Sequence, residues 1–132
     1  MLVRFCIYGF LGLFLEIMWT SLMSFLDKDY RLIGRTSVWM FFIYGSALFF
    51  EPVCILLAPL PTVVRGAVYA LIIFAFEYAA GLALSMANIC PWDYSTSRYN
   101  INGIIRLDYA PLWFGVGLLF EGICFLLISF GL

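Results

Sequence analysis

Residues 44–54 read YGSALFFEPVC and residues 114–124 read FGVGLLFEGIC, so Glu51 and Glu121 each interrupt an apolar run in the same setting. Glu16 and Glu77 do the same in two further runs. An acidic side chain at the centre of a membrane span costs about 2.5 to 3.5 kcal/mol on insertion scales, which for four comes to roughly 10 kcal/mol or more. Residues that expensive are expected to carry protons, hold a cation or recognise another helix, or else to stay protonated and hydrogen-bond between helices. No Lys or Arg stands near the middle of these runs, and clustered carboxylates in a low dielectric cannot all ionise unpaired. The expected counter-charge is therefore protons, a bound cation or a partner protein. An all-oxygen site suits a hard ion such as Ca²⁺, Mg²⁺ or Mn²⁺; an organic cation is a further candidate. Residue types alone leave the identity of any metal unknown, and they point to no resident cofactor.

Those acids must be positioned by membrane helices. The chain has 132 residues, 65% of them hydrophobic and 11% charged, which lies outside the range of an ordinary soluble domain. Apolar stretches cover residues 3–26, 38–60, 63–89 and 111–131, each long enough to cross a hydrocarbon core about 30 Å thick. Backbone amides in lipid have no water to bond, so each stretch is expected to be a helix. The fold expected is an all-α, multi-pass membrane protein of four transmembrane helices. The first stretch is expected to be one of these helices and not a secretory leader, because Glu16 interrupts it. The net charge of -1 gives no basic footprint for nucleic acid. There is no histidine, and Cys6, Cys54, Cys90 and Cys124 show no metal-ligand spacing; buried thiols of this kind behave as small hydrophobes.

An internal register runs through the chain. Arg4, Tyr8 and Glu16 map onto Arg65, Tyr69 and Glu77 with one offset, while Gly45, Leu48, Phe50, Glu51 and Cys54 map onto Gly115, Leu118, Phe120, Glu121 and Cys124 with another. Leucines align by chance in any apolar chain; Arg, Tyr, Glu and Cys in register do not. The reading is two tandem helical hairpins, residues 1–60 and 61–132, forming one domain over 1–132 as a parallel repeat about an axis along the membrane normal. Glu16 lies 12 residues beyond Arg4, or roughly 18 Å along a helix, and Glu77 repeats that depth. Glu51 and Glu121 are placed at about the same level, so the expectation is one inward-facing layer of four acids. Gly12, Ala47 and Gly117 lie one turn before a glutamate, and Ala80 and Gly81 one turn after Glu77, which marks these faces as helix contacts.

The segments between spans are unequal. Residues 27–37 read DKDYRLIGRTS, whereas residues 88–111 form a longer connection, expected to lie at the interface or over the bundle mouth. Asp93, Asn100, Asn102, Arg106 and Asp108 are its candidate gate residues. Lys28, Arg31, Arg35, Arg98 and Arg106 lie on that face, against Arg4 and Arg65 on the other, so the positive-inside rule places these loops in the cytoplasm and the termini outside.

TSVWMFFIYG at 36–45, the glutamate-bearing spans, CPWDYS at 90–95 and NGIIRLDYAPLW at 102–113 resemble the transmembrane protein 229 family, which is grouped with the bacterial CmpB-like proteins labelled ABC-transporter type IV. The resemblance covers nearly the whole chain and implies a polytopic membrane protein. It carries no substrate and no catalytic residue with it. The chain has no G-x-x-x-x-G-K-[ST] loop, so any ATP hydrolysis of that kind belongs to a partner subunit.

Three functions fit these residues. The first is a small transporter or permease component whose glutamates Glu16, Glu51, Glu77 and Glu121 bind a cation or protons, working as a homodimer or with a partner membrane subunit. The second is a non-catalytic assembly or regulatory protein that recognises a basic partner helix. The third is an intramembrane enzyme acting on lipid, with Asp93, Asp108 or the glutamates as acid and base. It ranks last, because no histidine or nucleophile motif accompanies them.

Overall fold

The computed structural model describes residues 1–132. Four helical stretches are long and apolar enough to cross a membrane: Leu2–Leu26, Val38–Leu57, Thr62–Met86 and Leu107–Ser129. The protein is an all-α membrane protein. Its elements are α1 (Leu2–Leu26), α2 (Val38–Gly45), α3 (Glu51–Leu57), α4 (Thr62–Met86), the short strands β1 (Asn100–Ile101) and β2 (Ile105–Arg106), and α5 (Ala110–Ser129). Large apolar side chains such as Phe10, Phe14, Phe49, Leu71 and Leu82 lie exposed along the spans, as side chains that face lipid must.

The second span is not one continuous α-helix. A 3-10 turn, Ser46–Phe50, separates α2 from α3, and the cause lies two residues beyond it. Pro52 has no N–H to give and its ring crowds the carbonyl of the preceding turn. The Glu51 amide bonds the Leu48 carbonyl, three residues back, which tightens the helix where the glutamate emerges. The span ends at Leu57, short of the expected residue 60.

The chain forms two compact units, Met1–Glu51 with Ser129–Leu132, and Pro52–Ile128. In the first, α2 lies along α1 through glycine contacts: a Cβ on Gly12 would fall inside the Tyr44 side chain, and one on Gly9 would meet Phe41. The connection after α1 folds back along it. Hydroxyls of the last turns hold its backbone, with Ser21 Oγ donating to Leu32 O (2.6 Å), Ser24 Oγ to Ile33 O (3.0 Å) and Thr20 Oγ1 accepting from Arg35 N (2.7 Å). Three hydroxyls at the end of an apolar helix thus satisfy a segment that would otherwise need water.

In the second unit Cys54, Tyr69 and Cys124 form a buried cluster, with Leu57 and Leu118 packed against it. None of the four cysteines of the chain forms a disulfide. The long connection is ordered by a β-hairpin with Asn100 opposite Arg106 and Ile101 opposite Ile105. Asn102 and Gly103 at its tip have φ of 53° and 68°, the left-handed pair that an Asn-Gly turn favours. The hairpin buries Ile104 and Ile105, and Gly81 on α4 leaves the space that Ile104 and Trp92 fill.

Candidate functional site

In the first unit, Arg4 and Tyr8 lie one turn apart on α1 and so share a face. Both reach Glu51 at the start of α3. Arg4 Nη1 donates to Glu51 Oε2 at 2.7 Å and the Tyr8 hydroxyl to Oε1 at 2.6 Å. The site is closed, with the Arg4 and Glu51 side chains 16% and 10% exposed and Tyr8 fully buried. Further along α1, Glu16 Oε2 accepts from the Tyr44 hydroxyl at 3.1 Å.

The second unit has the same constellation at the corresponding positions. The Tyr69 hydroxyl donates to Glu121 Oε1 at 2.7 Å and Arg65 Nη2 to Oε2 at 3.2 Å. Arg65 Nε stands 2.8 Å from Oε1 as an ion pair, though out of line for a hydrogen bond. Arg65 Nη1 donates to Leu60 O at 2.6 Å, in the tight turn before α4. Glu77 Oε1 accepts from the Tyr94 hydroxyl at 3.3 Å.

These contacts correct two expectations. Glu51 and Glu121 pair with the chain's own Arg4 and Arg65, in place of the protons, bound cation or partner protein expected. The second span ends early, so Glu51 lies only six residues from its end, roughly 9 Å, and a long arginine side chain spans the remainder. Nor do the acids of a unit share one level. Glu51 is level with Arg4 and Tyr8, whereas Glu16 lies eight residues beyond Tyr8, roughly 12 Å further along α1; the same spacing separates Tyr69 from Glu77. Each unit therefore has an arginine-paired acid and, deeper in, an acid that meets a tyrosine.

Asp93, Asn100, Asn102, Arg106 and Asp108 organise the long connection from within. Asp93 Oδ1 accepts from Ser95 N at 2.9 Å, and this amide, followed by the Ser95 side chain, holds the carboxyl below its usual range. Asn100 bonds Ser97 O and, through Oδ1, Gly103 N, while Asn102 donates to the Tyr78 hydroxyl at 2.8 Å. Arg106 pairs with Asp108 and lies over the Tyr109 ring, 4.3 Å from its centroid, and that of Tyr94 at 5.9 Å. Tyr94, which bonds Glu77, is thus fixed by the same network. No group of three or more His, Cys, Asp or Glu side chains is gathered to hold a metal ion.

The residues that sequence reasoning left out of the site are Arg4, Tyr8, Arg65 and Tyr69, together with Tyr44 and Tyr94. The repeated Arg-x-x-x-Tyr spacing, which puts both side chains on one helix face, was the available signal for the first four. No local pattern marks Tyr44 or Tyr94 as partners of acids 28 and 17 residues away.

Four spans, each pair of acids held by side chains of its own unit, make an integral membrane protein. The family model described as "Putative ABC-transporter type IV" matches residues 3–130. The chain belongs to this family. The match takes in all four spans and both arginine-tyrosine-glutamate sites. No solved structure matches the chain.

Proposed function

We propose that this chain is the membrane component of a transport system in which Glu16 and Glu77 exchange protons or a cation, while Glu51 and Glu121 act as clamps that close each hairpin. The observation that carries this reading is the different company the acids keep. Glu51 and Glu121 are paired with arginine, so their charge is already met. Glu16 meets a tyrosine hydroxyl at a level where α1 supplies no basic side chain, and Glu77 occupies the corresponding place in the second unit. A carboxyl in lipid with a hydroxyl donor beside it is built to change protonation or admit a cation. The absence of a multi-carboxylate cluster favours protons or an organic cation over a hard metal ion.

The two hairpins, residues 1–60 and 61–132, would act as one domain with related halves, and the repeated constellation supports that relation. Four spans make a thin wall for a pathway, so a homodimer or a partner membrane subunit completes it, and an ATPase partner supplies hydrolysis. Lys28, Arg31, Arg35, Arg98 and Arg106 on the loop side, against Arg4 and Arg65 on the other, favour cytoplasmic loops and external termini.

Calorimetric titration and proton release on the purified protein across pH test the proposal. Glu16→Gln and Glu77→Gln should each weaken ion or proton uptake and leave the fold intact, whereas Glu51→Gln and Glu121→Gln should chiefly lower stability. If no ion binds at any pH, and the Glu16 and Glu77 variants function in cells like the parent, the transport reading fails. A stoichiometric partner helix that is lost with Glu16→Gln would instead favour assembly with a basic membrane partner.

A further inference from the structure

The two deeper acids are met from different kinds of chain. Glu16 takes its hydroxyl from Tyr44, a residue of the span helix α2 whose ring sits where Gly12 leaves room on α1. Glu77 takes its hydroxyl from Tyr94, which belongs to the connection between α4 and α5. In the register that carries Glu51 onto Glu121, Tyr44 falls on Phe114, which has no hydroxyl to give. In the second unit the acid's partner thus stands on a loop, and a loop can leave a carboxyl without unpacking a membrane helix. The bond is also loose, 3.3 Å against 2.6 Å and 2.7 Å for the hydroxyls of Tyr8 and Tyr69.

That connection folds back alongside α4. Trp92 and Ile104 fill the space left by Gly81, five residues before the end of α4 at Met86, roughly 8 Å inside it. The Asn102 amide donates to the Tyr78 hydroxyl at 2.8 Å, and Glu77 lies one residue deeper still, roughly 14 Å from the same end. Irregular chain at such depth is tolerated only where protein buries it or water fills the space beside it. Protein does not bury all of this one: Asp93, Ser95 and Asn102 are exposed, with Asp93 Oδ1 beside Gly103 at the turn. A carboxylate, a hydroxyl and an amide at that level require water, so the outer side of the connection is wet. Its inner side is Tyr94, whose amide donates to Gly103 O at 2.8 Å, whose ring packs edge-on against Tyr109 and whose hydroxyl reaches Glu77. Tyr94 and Glu77 are themselves only partly buried.

We propose that Tyr94 is a gate through which water, and a proton or cation carried in it, reaches Glu77 from the loop side, and that Glu16 has no such gate. The inference deepens the reading of Glu77 as an exchanging acid and rests on that reading. Asp93, exposed on the outer side, favours a cation over an anion there. Release of the Tyr94–Glu77 bond and of the Asn102–Tyr78 tie opens the route, while Trp92 and Ile104 stay against Gly81 as the anchor.

The test uses the full chain in phosphatidylcholine vesicles loaded on both sides with a water-soluble carbodiimide and glycinamide. Mass spectrometry reads the rate of amide formation at Glu77 and at Glu16 in the same sample. In the parent, Glu77 should react about threefold faster than Glu16 or more. Tyr94→Ala removes the plug and should raise the Glu77 rate about fivefold or more with Glu16 little changed; Asn102→Ala, which loses only an exposed tie, should move Glu77 in the same direction by about twofold. A parent in which Glu77 reacts no faster than Glu16 overturns the proposal, as does a Tyr94→Ala protein whose Glu77 rate is unchanged or whose two acids speed up alike. The parent comparison decides the matter even where a variant fails to fold. Labelling reads access and needs no ion to bind, so a reactive Glu77 with flat calorimetry keeps the gate and sinks the exchange reading, whereas ion uptake with an unreactive Glu77 does the reverse.

Discussion

Arg65→Met isolates the worth of the clamp in the second unit. Glu121 is 7% exposed and Arg65 20%, so deleting the arginine leaves a carboxylate in a closed, low-dielectric place. Breaking a buried ion pair by removing one partner costs about 3 to 5 kcal/mol. The Tyr69 hydroxyl remains bonded to Glu121 at 2.7 Å and Arg65 keeps some solvent contact, so the lower end, about 3 kcal/mol, is expected. In Arg65→Met/Glu121→Leu the stranded charge is gone, and the remaining deficit is a buried phenol that has lost its Glu121 acceptor, about 1 to 3 kcal/mol. Adding Tyr69→Phe removes that too and should bring stability within about 1 kcal/mol of the parent, since replacing buried polar groups by apolar ones of similar shape is nearly neutral. The assay is equilibrium unfolding in mixed micelles with increasing dodecyl sulfate, followed by far-UV circular dichroism. A single variant within about 1 kcal/mol of the parent, or a double variant no better than the single, would refute the claim that Glu121 depends on Arg65 for its charge.

Three other outcomes follow from local geometry. Gly12→Leu forces a side chain into the space of Tyr44 and should cost at least the 1 to 3 kcal/mol typical of overpacking, roughly, read by the same unfolding assay; Gly115→Leu, with open space around it, should be nearly silent. Gly103→Val places a β-branched residue at φ 68°, which should open the Asn-Gly turn and raise amide exchange at Tyr94, whose N–H bonds Gly103 O. Asp93 has its folded-state pKa lowered by Ser95, so the order it contributes is present above the ordinary aspartate range and lost as pH falls through the lowered value. Protection of the Ser95 amide, measured by hydrogen exchange, should accordingly fall in acid and be absent at all pH in Asp93→Ala.

Composition and run length determined that this chain is a four-span membrane protein, because a backbone in lipid has only the helix to satisfy it. The positions of the four glutamates, and their shared setting with Arg, Tyr and Cys, were equally open to reading from the order of residues. The partner of each acid was not. Whether Arg4 or a proton meets the charge of Glu51 depends on where the second span ends and how it turns at Pro52, and one helical turn of length moves a carboxylate about 5 Å in depth. Tyr44 and Tyr94 became partners of Glu16 and Glu77 only through packing: Gly12 admits the Tyr44 ring, while the hairpin at Asn102–Gly103 and the stack of Arg106 on Tyr94 and Tyr109 hold Tyr94 in place. The Asn-Gly pair was a legible turn signal, but what the turn positions lies across the fold. Periodicity and composition are local properties of the chain, and they set which segments enter the membrane; hydrogen-bond partners many residues apart are chosen by the fit of one helix on another, which only the tertiary structure decides.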